Sequence, residues 1–371
     1  MTLEPIQLTQ ELVDIKSVSR WSNLEVSDLV EERMIKNGFE TERLEYVDEN
    51  GEQKANIVGR KGKGTGGLAF FSHTDTVPGQ EQDWAAFSST VKDGRIIGRG
   101  SCDMKGPLAA TMVAAAQCDA SRLKRPVLVM ATADEEVGGQ GVKQVVDESQ
   151  LLRASRPEFG VVAEPTRLIP VYAHKGGAQV FVTAHGKAAH TSMDLGISAN
   201  FIIAPFLAEM ADLSKTVKTD KRFMNHDFKP PTNGFNMVMD DGGTKQNVTA
   251  AKTVCQVCFR PMPGDKSEEL LELITEKAKQ HGLEVQSRIG MPYYISPEAS
   301  IVRLACEVTG VKEPQTVPFG TDAVRIGDAL DLVVLGPGDI AQAHTVGEWI
   351  AVDQLHEAVR VYTDMIGHAC M

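Results

Sequence analysis

The sequence predicts an α/β protein: a mixed-sheet domain interrupted by a smaller, ferredoxin-like α+β domain. Three observations lead there. Strand-length apolar runs at 68–73, 125–133 and 159–163 are continuous in apolar character, as strands covered on both faces require, and each stops at polar residues. From about Gly177 the rhythm changes to β-α-β-β-α-β, the split unit of a ferredoxin-like domain. After Pro292 the α/β alternation resumes, so the first domain is expected to be discontinuous, 1–176 and 291–371, with residues 177–290 inserted.

Taken in order, apolar positions at helical spacing (Ile6, Leu8, Leu12, Val13, Ile15) predict a helix over 4–17, and a second spans 23–37 before Gly38 stops it. Strands follow at 55–58, 68–73 and 95–97, then an Ala-rich helix over 105–120. The buried strand 125–133 ends in Asp134-Glu135-Glu136, a helix is expected over 138–152, and the strand 159–163 ends in Glu164-Pro165. The insertion reads as strand 178–184, helix 198–213, strands 235–239 and 253–260, helix 267–281 and strand 283–288, with an exposed loop over 215–234 marked by Pro230, Pro231 and Gly234. A helix near 300–309, strands around 317 and 332–335, and a final helix over 353–367 complete the chain. In that last helix Leu355, Val359, Tyr362 and Ile366 share one face.

At 371 residues and 42% hydrophobic content the chain can bury a sizeable core. Its formal charge of −12 argues against nucleic acid or an anionic membrane as partner and favours a small molecule. Residues 1–19 lack the apolar core of a signal peptide and no run reaches transmembrane length, so a cytoplasmic protein is expected. Six thinly spread cysteines do not form a disulfide framework. Cys255 and Cys258 make a C-x-x-C, but in an alternating strand a separation of three puts them on opposite faces, which suits packing better than metal.

Polar residues at strand ends carry the chemistry. The run 67–78 ends in His73 and Asp75, and Pro78 forbids the strand to continue. In extended chain, residues i and i+2 point the same way, so Asp75 could orient His73 and raise its basicity toward a metal. With Asp103, Glu135, Glu136, Glu164 and His344 these residues form the mixed N/O donor set that zinc accepts. Five such ligands suffice for two ions if one carboxylate bridges them. Ions ~3.5–4 Å apart polarise a carbonyl and bring the pKa of a trapped water from 15.7 toward ~7. Of the adjacent Glu135 and Glu136, one can bind metal while its neighbour stays free as general base and then acid. Any one of these carboxylates alone is better read as a solvated strand end or a helix cap.

The runs 72–78 (SHTDTVP), 98–106 (GRGSCDMKG), 133–136 (ADEE), 163–166 (AEPT) and 343–345 (AHT) resemble, in order, the metal motifs of the M20 zinc aminoacylase and peptidase family. The resemblance covers essentially the whole chain. It implies a dimetal hydrolase in which His73 and Glu164 bind one metal, Glu136 and His344 the other, Asp103 bridges, Asp75 orients His73 and Glu135 is the acid/base. It further implies that the inserted domain dimerises and closes as a lid. There the segment 186–192 (GKAAHTS) resembles the one whose histidine reaches the partner's site, making His190 the donor to the developing oxyanion. By the same resemblance Asn247 and Arg260 hold the substrate carboxylate or its reacting carbonyl, and Gly320 and Thr321 form a substrate-contacting turn.

Within the family, the runs 131–136, 164–176, 260–264 and 334–344 resemble the subgroup that removes acetate from N-acetylornithine. The segment 345–349 (TVGEW) departs from the usual form, which has proline or asparagine before the acid. The implied cofactors are two Zn²⁺, with Co²⁺ or Mn²⁺ admitted by the same donors. The implied partners are a small N-acyl amino acid and a second copy of the chain. Desuccinylation of succinyl-diaminopimelate, deacylation of an acylcitrulline and dipeptide hydrolysis are the alternatives, and a non-catalytic binding protein is the alternative of another class.

Overall fold

The computed structural model describes residues 3–327 and 329–371. The chain forms two compact units, one made of the residues up to Tyr172 with Ile295–Gln315 and Thr321–Met371, the other of Ala173–Tyr294 with Thr316–Gly320.

In the first unit, strands Glu40–Val47, Gln53–Lys61, Val127–Thr132, Leu68–His73, Phe159–Val162 and Asp331–Val334 lie side by side in that order. The sheet is mixed. Leu68–His73 runs parallel to both of its neighbours, and Asp331–Val334 runs parallel to Phe159–Val162, whereas the Glu40–Val47 side is antiparallel. Every residue of Leu68–His73 and Val127–Thr132 is buried, as their continuous apolar character requires. Helix Lys105–Gln117 has eleven of its thirteen residues buried, so its alanines face neighbours all round rather than along one stripe. It packs on the sheet and between the first helix, Pro5–Asp14, and the last, Val352–Cys370. Each large side chain in this core contributes roughly 1.5–3 kcal/mol by leaving water. Lys105 is tolerated there because its ammonium donates to the carbonyls of Leu12 (2.9 Å) and Ile15 (2.7 Å).

The second unit is an antiparallel sheet in the order Asn236–Asp240, Lys252–Phe259, Gly177–His185, Glu284–Gly290, with helices Ala199–Thr216 and Ser267–Gln280 packed on it. Lys252–Phe259 alternates in burial, with Thr253, Cys255, Val257 and Phe259 inside and Cys258 only half-buried. The β-α-β-β-α-β order of this insertion is the predicted one. Among the described residues five strands escaped the sequence pattern: Glu40–Val47, whose alternating charges mask it, and the short Thr90–Lys92, Val171–His174, Tyr293–Tyr294 and Trp349–Ala351. The single helix expected over 138–152 is a 3₁₀ turn, Glu135–Val137, followed by two helices broken at Ser149, whose extended backbone and hydroxyl cap the second by accepting from Leu152 N–H. Among the described residues no helix is long and apolar enough to cross a membrane.

Candidate dimetal active site

Three adjacent parallel strands deliver the site. Val127–Thr132, Leu68–His73 and Phe159–Val162 all point their C-terminal ends the same way, and the register pairs His73 with Thr132 and Phe71 with Val162. Continued by two residues, that register sets Glu164 beside His73, and the strand from Val127 runs on into Glu135 and Glu136. This is the edge where open α/β sheets place their ligands. Two loops add the remaining donors. Asp103 stands just before helix Lys105–Gln117, and His344 follows the 3₁₀ turn Ile340–Gln342. Gly336 lets the second loop lie against the Glu164 strand end, because any Cβ there would come within 2.2 Å of Ala163 O.

His73 Nε2 is 3.1 Å from Asp103 Oδ1 and 3.8 Å from Glu164 Oε1. His344 Nε2 is 3.0 Å from Glu136 Oε1 and 3.4 Å from Asp103 Oδ2. Asp103 therefore turns one oxygen to each histidine. The donor atoms of His73, Asp103 and Glu164 all lie within 4.8 Å of one another, as do those of Asp103, Glu136 and His344. Two three-ligand sites sharing one carboxylate are laid out in this way, each short of the four ligands of a closed structural zinc site.

The electrostatics agree with a place for cations. Burial pushes Glu164 well above the usual carboxylate range, and Asp103 adds to the rise while the charge of His73 opposes it. Glu136 is raised in the same way, by burial first, against the hydrogen bond from His344. His73 stays well above the ordinary imidazole value although burial alone would lower it, since the Asp103 hydrogen bond and the charges of Asp75, Asp103 and Glu164 prevail. His344 is raised to about 10 by its hydrogen bonds to Asp103 and Glu136. Buried carboxylates crowded in this way are eased by positive charge beside them, a role the two histidines play here. Two divalent cations would fill the same role, so the donor set fits them.

The Glu135 carboxylate is hydrogen-bonded to neither histidine, and its backbone is fixed instead. The N–H groups of Glu135 and Glu136 donate to Asp75 Oδ1 (3.2 Å) and Oδ2 (3.3 Å). Burial drives the Glu135 carboxyl well above its ordinary value; the charge of His73 opposes that, and Glu164, Asp322 and Glu136 reinforce it. Asp75 also accepts from the Ser19 hydroxyl (2.7 Å). Its contact with His73 differs from the expected one. The group within hydrogen-bonding distance of His73 Nδ1 is the Asp75 main-chain carbonyl (2.9 Å), with the carboxylate at 3.6 Å.

Sequence reasoning passed over several residues around this centre. Asp322 is buried and raised to about 7, by burial first and by Asp75 next among the raising influences, and it stands against the Gly139 turn beside Glu135. Its Gly-Thr-Asp context was the available signal. Asp134, in the left-handed region at φ 63°, is held by Lys54 Nζ (2.8 Å) and Tyr46 Oη (2.7 Å), both donating to its carboxylate. Nothing in the local pattern marks Lys54 or Tyr46. Thr321 is buried and accepts from Ala323 N–H (3.1 Å), opening the short helix Ala323–Ile326.

His190, Asn247, Arg260 and Gly320 belong to the second unit. His190 and Asn247 are neighbours there, since Thr191 N–H donates to Asn247 O (3.0 Å) and His190 bridges to Val248. His190 Nδ1 accepts from Ser192 N–H (3.2 Å), which fixes the ring while the residue stays exposed. Arg260 is exposed at the end of Lys252–Phe259, its N–H donating to Asn233 O (2.6 Å).

The profile of peptidase family M20/M25/M40 matches residues 69–368, and the chain belongs to this family of metal-dependent amidohydrolases. Among curated relatives it is similar to the acetylornithine deacetylase of Myxococcus xanthus, at 35% identity over 100% of this chain and 98% of the relative. The acetylornithine deacetylase of Photorhabdus laumondii is 29% identical over 99% of this chain and 97% of its own. Solved structures share the fold. An M20 family metallo-carboxypeptidase from Sulfolobus solfataricus superposes with a TM-score of 0.78 at 18% identity over 98% of both chains. A dinuclear metal binding M20 peptidase from Bacillus subtilis does so with 0.65 at 15% identity, over 98% of this chain and 96% of the other.

Proposed function

We propose that the protein removes the acetyl group from N-acetylornithine, giving ornithine and acetate. The observation that carries this reading is the pair of donor triads sharing Asp103 with Glu135 left over beside them, in a chain similar over its whole length to acetylornithine deacetylases. Bound at the triads, two zinc ions, or cobalt or manganese in their place, would supply Lewis acidity for an amide carbonyl and for water. His73 and Glu164 would hold one ion and Glu136 and His344 the other, with Asp103 offering an oxygen to each. Asp75 keeps His73 oriented through its carbonyl and ties down the Glu135–Glu136 turn through its carboxylate. Glu135 takes the proton from the attacking water and returns it to the departing amine. His190 donates to the developing oxyanion. The planar fork of Arg260 takes the substrate carboxylate, with Asn247 and the Gly320–Thr321 turn completing the substrate contacts.

The same reading makes the enzyme a cytoplasmic homodimer serving arginine synthesis, associated through the inserted unit. Supporting this, Met193, Leu195, Ile197 and Phe201 are exposed by 57–83% within one short stretch of that unit, more apolar surface than an isolated segment ordinarily shows.

The test is amine release from N-acetylornithine, N-acetylcitrulline, N-acetylmethionine, N-succinyl-diaminopimelate and a dipeptide by metal-reconstituted protein. A preference for N-acetylornithine that vanishes with chelator is expected. Preference for another member of the panel would move the substrate, and no turnover with two metals bound would overturn the deacetylase reading.

A further inference from the structure

His344 is the least supported ligand of the site. Its side chain is 53% exposed, and its backbone sits in the left-handed region at φ 62°, which is disfavoured for a non-glycine residue. Asp103, which it must meet, comes from a different loop 241 residues earlier. Something has to hold the two loops in register.

Glu348 stands between them. It is fully buried, four residues beyond His344, and directly precedes strand Trp349–Ala351, which pairs with Arg95–Ile97 at the root of the Asp103 loop. Its carboxylate accepts from Arg99 Nη1 (2.7 Å) and Gly100 N–H (3.0 Å) on Oε2, and from Cys102 N–H (2.9 Å) and Asp103 N–H (3.0 Å) on Oε1. Its main-chain carbonyl accepts from Gly98 N–H (2.9 Å). Burial raises this carboxyl above the ordinary value, opposed by the Gly100 and Asp103 amides and the charge of Arg99. All four partners of the carboxylate are donors, so only the ionised form satisfies them. The side chain thus wraps the turn 99–103, including the amide of Asp103 itself, around one anion.

We propose that Glu348 is the positioning residue of the second metal site: it fixes the bridging Asp103 and the loop of His344 relative to each other, so that Asp103, Glu136 and His344 stand ready for an ion. The inference rests on the dimetal reading. A purely structural buried pair with Arg99 would affect stability and leave both metal affinities alike. A positioning role weakens the ion of the second triad more than that of the first, because the second depends on Glu348 for both Asp103 and the His344 loop whereas the first shares only Asp103.

The experiment titrates zinc into chelator-stripped wild type, Glu348→Gln and Glu348→Asp, with His344→Ala and Glu164→Gln as reference patterns and near-ultraviolet circular dichroism of the metal-free proteins as the check on folding. Wild type should take two ions. Glu348→Gln, which sets an amide N–H₂ against backbone donors, should keep the ion that survives in His344→Ala and bind the other about 10–100-fold more weakly, the usual cost of losing an outer partner of a metal site. Glu348→Asp keeps the charge but loses a methylene of reach and should fall between. Two ions at wild-type affinity in both variants, or equal weakening of both ions, would overturn the proposal. If Glu348→Gln does not fold, Glu348→Asp decides by the same two outcomes. If wild type takes fewer than two ions, the dimetal reading fails first and this inference falls with it.

Discussion

The two donor triads are built from different materials. In the triad of His73, Asp103 and Glu164, the histidine and the glutamate stand at the ends of neighbouring parallel strands, their side chains only 1% and 5% exposed and their spacing dictated by sheet register, and only Asp103 comes from a loop. The triad of Asp103, Glu136 and His344 joins a 3₁₀ turn, a loop and a strained histidine that is half in solvent. A sheet places ligands as a by-product of its own pairing, whereas loops need dedicated partners to do so. The second ion should accordingly exchange more readily, and the residues spent on holding it, Glu348 and Arg99 among them, lie outside the ligand set.

The largest expected effect is on Glu135, the group that stands beside both triads and belongs to neither. Glu135→Gln should lower kcat by about 10²–10⁴-fold, the usual worth of a positioned acid/base, with two ions still bound. Loss of an ion instead would make Glu135 a ligand and erase the distinction between it and Glu136. Mixing this protein with His190→Ala and recovering activity in exchanged dimers would place His190 in the partner's site.

Next come the ligands. Glu164→Gln and His344→Ala should each weaken one ion by at least the ~100-fold that an outer partner can cost, and in wild type a slow chelator should strip the ion lost in His344→Ala first. Simultaneous release of both would show that the bridge, rather than burial, governs exchange.

The pH dependence sharpens the same contrast. In metal-free protein His344 titrates near 10, so at neutral pH its ring carries a proton that an ion must displace. Affinity at the second triad should therefore rise with pH, about tenfold per unit for each proton displaced, and level off as pH approaches 10. Calorimetry in buffers of different ionisation enthalpy counts the released protons, and a pH-independent affinity between 6 and 8 would mean that the ring is already neutral.

What the sequence disclosed follows the same division. His73, Glu135, Glu136 and Glu164 were legible because continuous apolar runs stop at them, and the insertion was legible from its change of period. His344 follows no apolar run directly, and its residue type in the donor set, with the ordered resemblance of motifs, singled it out. Buried partners were hidden in principle. Glu348 looks like any loop acid until pairing of Trp349–Ala351 with Arg95–Ile97 brings the turn at 99–103 to it. Lys54 sits near the start of a mostly buried strand with no local sign that Asp134 awaits it. The i+2 pattern put Asp75 beside His73 but could not disclose that its main-chain carbonyl, at 2.9 Å, comes nearer the ring than its carboxylate at 3.6 Å. Periodicity reports on single elements, and these contacts arise between elements distant in the chain.

The smallest effect probes where the rigid side hands over to the loop side. Tyr362, fully buried on the last helix and edge-on to Phe70 at 5.0 Å, donates to Leu335 O (2.8 Å), the residue that leaves strand Asp331–Val334 for the His344 loop. Tyr362→Phe keeps the ring packing and leaves that carbonyl without its donor, which should cost on the order of 1 kcal/mol. Denaturant unfolding of the metal-free protein would show this as a lower midpoint at unchanged slope. Zinc affinity should stay at the wild-type value, since Gly336 is held independently: its N–H donates to the Thr166 hydroxyl (3.2 Å), and its carbonyl accepts from Thr166 N–H (3.1 Å) and Leu168 N–H (2.9 Å). Weaker binding of the second ion would mean that the core transmits strain into the loop, and the contrast between a self-placing triad and a held one would have to be drawn further back, at the sheet itself.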